Sequence, residues 1–358
     1  MGWLTLDIVR SIIQPILSES LFKKGEHMVG FAVVGLGMGR NRSRQVVETT
    51  GAELKVVVDI NEALAKDVGG EMGCDWTPSL EDALGRNDVD VVLVMTPSGL
   101  HAEVGIQVAK AGKHVITTKP MDVTTAACDA LISAGQEAGI LVGVDYQSRY
   151  VDNNFRIAEL LKRGELGDLL IGEVRFKWFR SDEYFAHNGG WRGTWSMDGG
   201  GSLANQGSHL IDLILWFMGD PIRVYGETAV LNHDIETEDV GMALLAFPGG
   251  AKGAIVGTTT FPENTYFSAE VHGKKGGILL DSALNGEMRV FGEGIEERLA
   301  TVDNSIHNVV EDVVSALEKG TRLRVDGREG RRTVALLEHI YHSAAVGQPV
   351  EFGSVHGQ

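Results

Sequence analysis

Three stretches of this chain carry residue types that do chemistry when they are held together. The first is residues 114–120, His-Val-Ile-Thr-Thr-Lys-Pro. Val115 and Ile116 read as a buried parallel strand, and Lys119 follows at its end, fixed by Pro120. Ligands of open α/β sheets sit outside the carboxyl ends of the strands, so a lysine there reaches the place where cofactor and substrate meet. Taken alone, the stretch reads equally well as a surface lysine on a loop. The second is Gly35-Leu36-Gly37-Met38-Gly39-Arg40, which follows the apolar run 29–34. Gly35 permits a tight turn, and Gly37 lets the backbone approach a pyrophosphate at a helix N-terminus. The third glycine of the dinucleotide fingerprint would stand at position 40, where Arg40 is found; Gly39 is one residue early. The third stretch runs from Trp191-Arg192 through Gly199-Gly200-Gly201 to Asn205, His209 and Asp212. The last three are spaced to share one helix face. A polar stripe on an apolar helix is costly unless it is paired or faces a cavity. Asn205 and His209 therefore read as pocket-lining, with Gly201 and Gly207 leaving room for something to come close. A satisfied core histidine is the alternative.

Elements that alternate between strand and helix must position these groups. A second apolar strand, 54–58, ends at Asp59, about 20 residues past the glycines, where a carboxylate accepts hydrogen bonds from the adenosine ribose. A helix cap for the residues from Asn61 onward is the alternative reading of Asp59. A 2′-phosphate at Asp59 would meet a like charge, so NAD is preferred to NADP. Strands at 90–95 and 140–144, with the Val115-Ile116 strand leading to Lys119 between them, alternate with helices at 101–111 and 124–138, which implies a doubly wound parallel sheet. After residue 150 the character changes. A helix at 155–163 precedes strands at 171–179, 224–230, 240–247, 251–260, 266–272, 278–281 and 288–291, interrupted by one long apolar helix, 203–218. Few helices separate those strands, so a mainly antiparallel open sheet is expected. Helices at 306–318 and 328–346 close the chain. The expected division is an N-terminal extension, 1–27, helical or disordered and dispensable for the fold; a dinucleotide-binding domain, 28–150; and a substrate-binding and oligomerisation α+β domain, 151–358.

Composition narrows the function further. The length of 358 residues suits two domains. A net charge of -17 argues against nucleic acid and anionic membrane partners, and modestly against highly anionic substrates. Cys74 and Cys128 are the two cysteines, neither in metal-binding spacing, so a reducing cytoplasm is expected, with no disulfide framework and no metal site. No apolar run approaches the roughly 20 residues that span a bilayer.

On the glycine turn, Thr96-Pro97 with His101, Lys119-Pro120, the 199–212 stretch and the closing Val325-Asp326-Gly327-Arg328-Glu329-Gly330-Arg331, the chain resembles the glucose–fructose oxidoreductase, inositol dehydrogenase and MocA family from residue 29 to about 352. The resemblance implies a Rossmann domain followed by an open sheet, frequent homo-oligomerisation, and oxidation or reduction of a secondary alcohol or carbonyl, commonly on a sugar or polyol. It adds Met38, Thr96, Pro97, His101 and Thr118 to the cofactor side. Three departures stand out. Thr118 replaces the glutamate that usually precedes the lysine and contacts the nicotinamide ribose. Asn205 replaces an aspartate; an amide hydrogen-bonds a hydroxyl but is no base. Arg40 fills the third glycine position, where a phosphate contact is expected of it.

The expected chemistry is hydride transfer between NAD and a carbon bearing a hydroxyl, with Lys119 or His209 moving the proton. A lysine starts near pKa 10.4, and burial, the cationic nicotinamide and a charged His209 would lower it. With Thr118 and Asn205 in place of two acids, Lys119 is expected to lose its proton more readily than in its relatives, unless another acid takes their place. Asn205 would hold a neighbouring hydroxyl. Arg192, Tyr146 and His187 are candidates for the substrate rim, with structural or merely exposed roles as their alternatives. The aromatic group Trp178, Phe179, Tyr184, Phe185, Trp191 and Trp195 suits a sugar face, and equally a packed loop. Two rivals remain: redox-neutral epimerase, lyase or glycosidase-type chemistry through a transient ketone, and a non-catalytic ligand sensor.

Overall fold

In the computed structural model the chain is described over residues 28–263, 266–282 and 287–353. The amphipathic pattern of residues 8–16 and the reading of 1–27 as an extension lie outside the described residues. Strands β1 (Val29–Val34), β2 (Ala52–Val58), β3 (Asp75–Thr77), β4 (Val91–Val94), β5 (His114–Thr118) and β6 (Val142–Asp145) form one parallel sheet in the order β3-β2-β1-β4-β5-β6. Every residue of β1 and β4 is buried, which is why both read as unbroken apolar runs rather than alternating ones. The strand order reverses between β1 and β4, so their carboxyl ends flank a crevice.

The crossovers are α1 (Leu36–Glu48), α2 (Glu62–Met72), the short α3 (Leu80–Leu84), α4 (His101–Lys110) and α5 (Thr125–Ala138). Local chemistry sets their starts. The Asn61 side chain accepts from the Leu64 N–H at 3.2 Å, and the Thr124 hydroxyl accepts from the Ala127 N–H at 3.2 Å. The helix starting near residue 61 is thus capped by Asn61 itself, not by Asp59.

α6 (Asp152–Lys162) leads into the second sheet: β7 (Leu169–Lys177), β8 (Arg223–Ala229), β9 (Val240–Ala246), β10 (Lys252–Thr258), β11 (Tyr266–Gly273), β12 (Gly276–Asp281), β13 (Glu287–Phe291) and β14 (Val350–Glu351). The order is β13-β12-β11-β7-β10-β9-β8-β14, antiparallel except for the central β7–β10 pair. Between β7 and β8 lie α7 (Asp182–Ala186), a π-helical turn (Ser202–Gln206) and the apolar α8 (Ser208–Met218). α8 is buried against the inner face of this sheet through Leu210, Ile211, Ile214 and Phe217. The rest of the chain is α9 (Ile295–Ala300), α10 (Val309–Lys319) and α11 (Gly327–Val346).

The last helices tie the two sheets together. Val309, Val310, Val313 and Val314 of α10 enter the core beneath β1 and β2. α11 contributes Val334 to the other core of the parallel sheet, and Leu336, Leu337 and Ile340 to the core of the second. Packing therefore crosses residue 150 even though the sheets do not.

Candidate active site

The glycine turn fits a dinucleotide. Gly35 has φ 88°, and a Cβ there would lie 2.7 Å from the Met95 carbonyl oxygen, so only glycine passes between β1 and β4. A Cβ on Gly37 would meet nothing within 4 Å, which leaves its backbone open to an approaching phosphate. A Cβ on Gly39 would come within 2.9 Å of the Val33 side chain. Gly39 thus does the close helix–sheet packing that the fingerprint gives to its third glycine. Position 40 then turns outward. Arg40 pairs with Asp67 and, at 2.5 Å, with Glu71, both on α2. The phosphate contact expected of Arg40 is corrected: its guanidinium is taken up by two carboxylates.

Asp59 lies beside the same turn. Its Oδ2 accepts from the Leu36 N–H at 2.7 Å and its Oδ1 from the Asn61 N–H at 2.8 Å. Each carboxylate oxygen has a second acceptor site, so ribose hydroxyls still find partners there. The Thr96 hydroxyl is buried without a hydrogen-bond partner among the described residues, as expected of a group that a ligand completes. Met38 is exposed on the outside of the turn, and Thr118 is half-buried at the end of β5, opposite Asp145. His101 is fully buried. Its Nδ1 and Nε2 lie 2.8 Å from the carbonyl oxygens of Pro120 and Thr96, so it braces the turns after β4 and β5 from behind rather than facing a ligand.

Lys119 leaves the end of β5 through a cis Lys119–Pro120 bond, and its Nζ donates to the Asn205 backbone carbonyl. Burial pushes its pKa down to about 8; Asp198 opposes that shift, while the Arg180 and Arg192 guanidinium groups add to it. Asp145, at the end of β6, also raises it, though Asp145 is paired with Arg42. Asp198 is fully buried, and burial lifts its carboxyl to about 6. It accepts from the Gly193 N–H at 2.9 Å and from Asn205 Nδ2 at 2.5 Å. Another acid has thus taken the place of the missing ones. The expectation of a lysine short of carboxylates is corrected: its low pKa comes first from burial.

His209, at the start of α8, has its Nδ1 3.4 Å from the Ser148 hydroxyl and its ring edge-on to Tyr146, centroids 6.0 Å apart. Burial, then the Lys119 and Arg42 charges, push it down to about 3. A charged His209 acting on Lys119 is therefore corrected to a neutral imidazole. The shared face of Asn205, His209 and Asp212 is also broken, because the π turn ends at Gln206 and α8 starts afresh at Ser208. Asp212 points to Arg149, which donates to both its oxygens at 2.8 Å. The room at Gly201 and Gly207 is taken by the protein itself: added Cβ atoms would lie 2.0 Å from the Glu238 carbonyl oxygen and 2.2 Å from the Phe176 ring.

The Asn205 side chain is committed. Besides Asp198 it meets Gln206 Nε2 at 2.6 Å and the Tyr184 hydroxyl at 3.4 Å, both donating to its Oδ1. Tyr146 is fully buried, a wall behind His209, and the rim role expected of it is corrected. His187 is exposed in the turn after α7. Arg192 is half-buried and stacks 4.6 Å over Trp191 and 4.8 Å over Tyr184. Arg42, Asp145, Ser148, Arg180 and Asp198 were missed by the sequence reading. Asp198 alone carried a signal, an acid set directly before three glycines.

Residues 29–146 match the model of the oxidoreductase family with an NAD-binding Rossmann fold, and residues 155–279 match the GFO/IDH/MocA C-terminal domain. The WlbA dehydrogenase of Bordetella pertussis, solved with NADH and UDP-GlcNAcA, is 30% identical, with a TM-score of 0.83 over 92% of this chain and 99% of that one. Two Bacillus subtilis enzymes are similar. The NADP-dependent scyllo-inositol 2-dehydrogenase is 26% identical over 74% of this chain and 79% of its own. The NAD-dependent one is 27% identical over 71% and 74%. The chain belongs to the GFO/IDH/MocA family and is an NAD(P)-dependent, hydride-transferring oxidoreductase.

Proposed function

We propose that the chain oxidises or reduces a secondary alcohol or ketone carbon of a sugar or polyol, with Lys119 moving the proton. The observation that carries this reading is the meeting of Lys119 with the 198–209 wall. An amine at the end of β5 is held by the Asn205 carbonyl, on the same sheet edge as the glycine turn. The nicotinamide supplies hydride acceptance or donation when bound. Gly35, Gly37, Met38 and Gly39 would hold its pyrophosphate end, Asp59 its adenosine ribose, and Thr96, Pro97 and Thr118 the other ribose and ring, with His101 bracing the two turns. Asp59 favours NAD over NADP. Neutral Lys119 takes the hydroxyl proton in oxidation, and protonated Lys119 returns it in reduction. His209 is the neutral second partner, donating or accepting a hydrogen bond at the substrate oxygen without changing charge. Asn205 fixes the wall and presents what remains of its amide to a neighbouring hydroxyl. Arg192 and His187 stand at the rim.

In this reading residues 28–150 serve the cofactor and 151–358 the substrate. The outer face of the second sheet carries Met242 and Leu244, Leu244 being 63% exposed, and we propose that a second copy of the chain covers it. The unpaired thiols of Cys74 and Cys128 and the NAD chemistry support a cytoplasmic site of action. Lys119→Met should lower kcat by at least about 100-fold while leaving the Kd for NAD within a few-fold, read by stopped-flow turnover and cofactor fluorescence. A variant that keeps most of its kcat sinks the assignment.

A further inference from the structure

Among the described residues, the Arg192 guanidinium of the candidate site forms no ion pair. Stacking on Trp191 and Tyr184 fixes the plane of the Arg192 guanidinium. Among the described residues no carboxylate, carbonyl or amide oxygen accepts a hydrogen bond from it. Its neighbours differ: Arg42 is paired with Asp145, and Arg149 with Asp212 and Glu329. Asp198, close enough for the two charges to act on one another, has its oxygens turned to the Gly193 N–H and the Asn205 amide. A stacked guanidinium keeps its N–H edge, with its forked donors, open for a planar anion. Its charge also reaches Lys119, as does that of Arg180. A chain of net charge -17 thus keeps a positive mouth beside its proposed proton carrier. The distant surface acids do not cancel it, because solvent screens them over a Debye length of about 8–10 Å.

We propose that the substrate is an acid, a sugar or polyol bearing a carboxylate, and that the Arg192 fork receives this carboxylate beside the carbon whose oxygen faces Lys119. The inference rests on the reading of Lys119 above and names the substrate class of that same site. One unpaired guanidinium balances one carboxylate, whereas a phosphate monoester brings nearly two charges and would call for a second open fork. It reverses the modest bias against anionic substrates drawn from net charge.

The test reads binding rather than turnover. Glucose, glucuronate, glucose 1-phosphate and glucuronate 1-phosphate are titrated by calorimetry into NAD-loaded Lys119→Met protein. Within each pair the acid should bind roughly 10- to 100-fold more tightly, and Arg192→Met in the same background should remove that preference. Arg192→Lys, which keeps the charge but loses the fork, should restore only part of it. Equal affinities within both pairs, no binding by any of the four, a preference for the phosphates alone, or an acid preference that survives Arg192→Met overturns the proposal. Failure of the Lys119 reading is seen separately, as turnover retained by Lys119→Met with the binding preference intact.

Discussion

A lysine serves as a proton carrier near neutrality only if its surroundings weaken its hold on the proton without abolishing it. At Lys119 burial and two arginines do the first, and Asp198 does the second. Asp198 bears a cost of its own. A carboxyl raised from 3.8 to about 6 is easier to keep protonated in the fold than outside it. Its contribution to stability is whole below pH 3.8 and is lost as pH rises through about 6, by at most about 3 kcal/mol. Asp198→Asn removes the ionisation and keeps an acceptor for the Gly193 N–H. At pH 7 its melting temperature should equal or exceed that of the parent. The rising limb of its oxidation rate should shift to lower pH than the parent's, since the anion that favours the ammonium form is gone. Thermal melts at pH 5 and 7 with a pH–rate profile check both, and a clear loss of stability at pH 7 contradicts this account. Lys119 and His209 were legible in the sequence because each carries a local mark, a strand running into Lys-Pro and a histidine in a glycine-rich helix start. Arg42, Asp145 and Asp198 were not. Their roles depend on which strand ends and loops converge, and sequence spacing does not encode that.

At the scale of elements the glycine turn teaches a division of labour. Gly35 makes the turn, Gly37 leaves a surface open, and Gly39 lets α1 lie on β1. The shifted third glycine looked like a defect in the fingerprint; in the fold Gly39 supplies the packing and Arg40 is free to pair with α2. Gly39→Val should overpack against Val33 and cost about 1–3 kcal/mol of stability. Gly37→Ala should leave the melting temperature unchanged and raise the Kd for NAD. Equal effects of the two substitutions on both readouts would refute the division. The wall of the site shows where periodicity fails. Asn205, His209 and Asp212 fit an α-helical face by count, but the extra residue of the π turn rotates Asn205 away from it.

Over the whole molecule both sheets could be read from sequence, the first from continuous apolar strands and the second from strands without intervening helices. The parallel β7–β10 pair and the return of α10 and α11 to the parallel sheet could not, because partner choice among similar strands and helices is settled by packing. Strand alternation should leave polar residues on the outer face of the second sheet, yet Met242 and Leu244 stand there. Leu244→Asp should therefore shift the chain toward a smaller species in sedimentation velocity, with its far-ultraviolet circular dichroism unchanged. A parent that already sediments as a monomer counts against the proposed oligomer. The account turns on Lys119, and its most direct test is the pH dependence of both reaction directions. With a pKa of about 8, oxidation should rise with pH and level off above that value, because it needs the neutral amine. Reduction should be full below it and fall above, because it needs the ammonium. Mirror-image limbs meeting near pH 8 are the expected result; profiles in which nothing titrates below a free lysine's pKa of about 10.4 would contradict it.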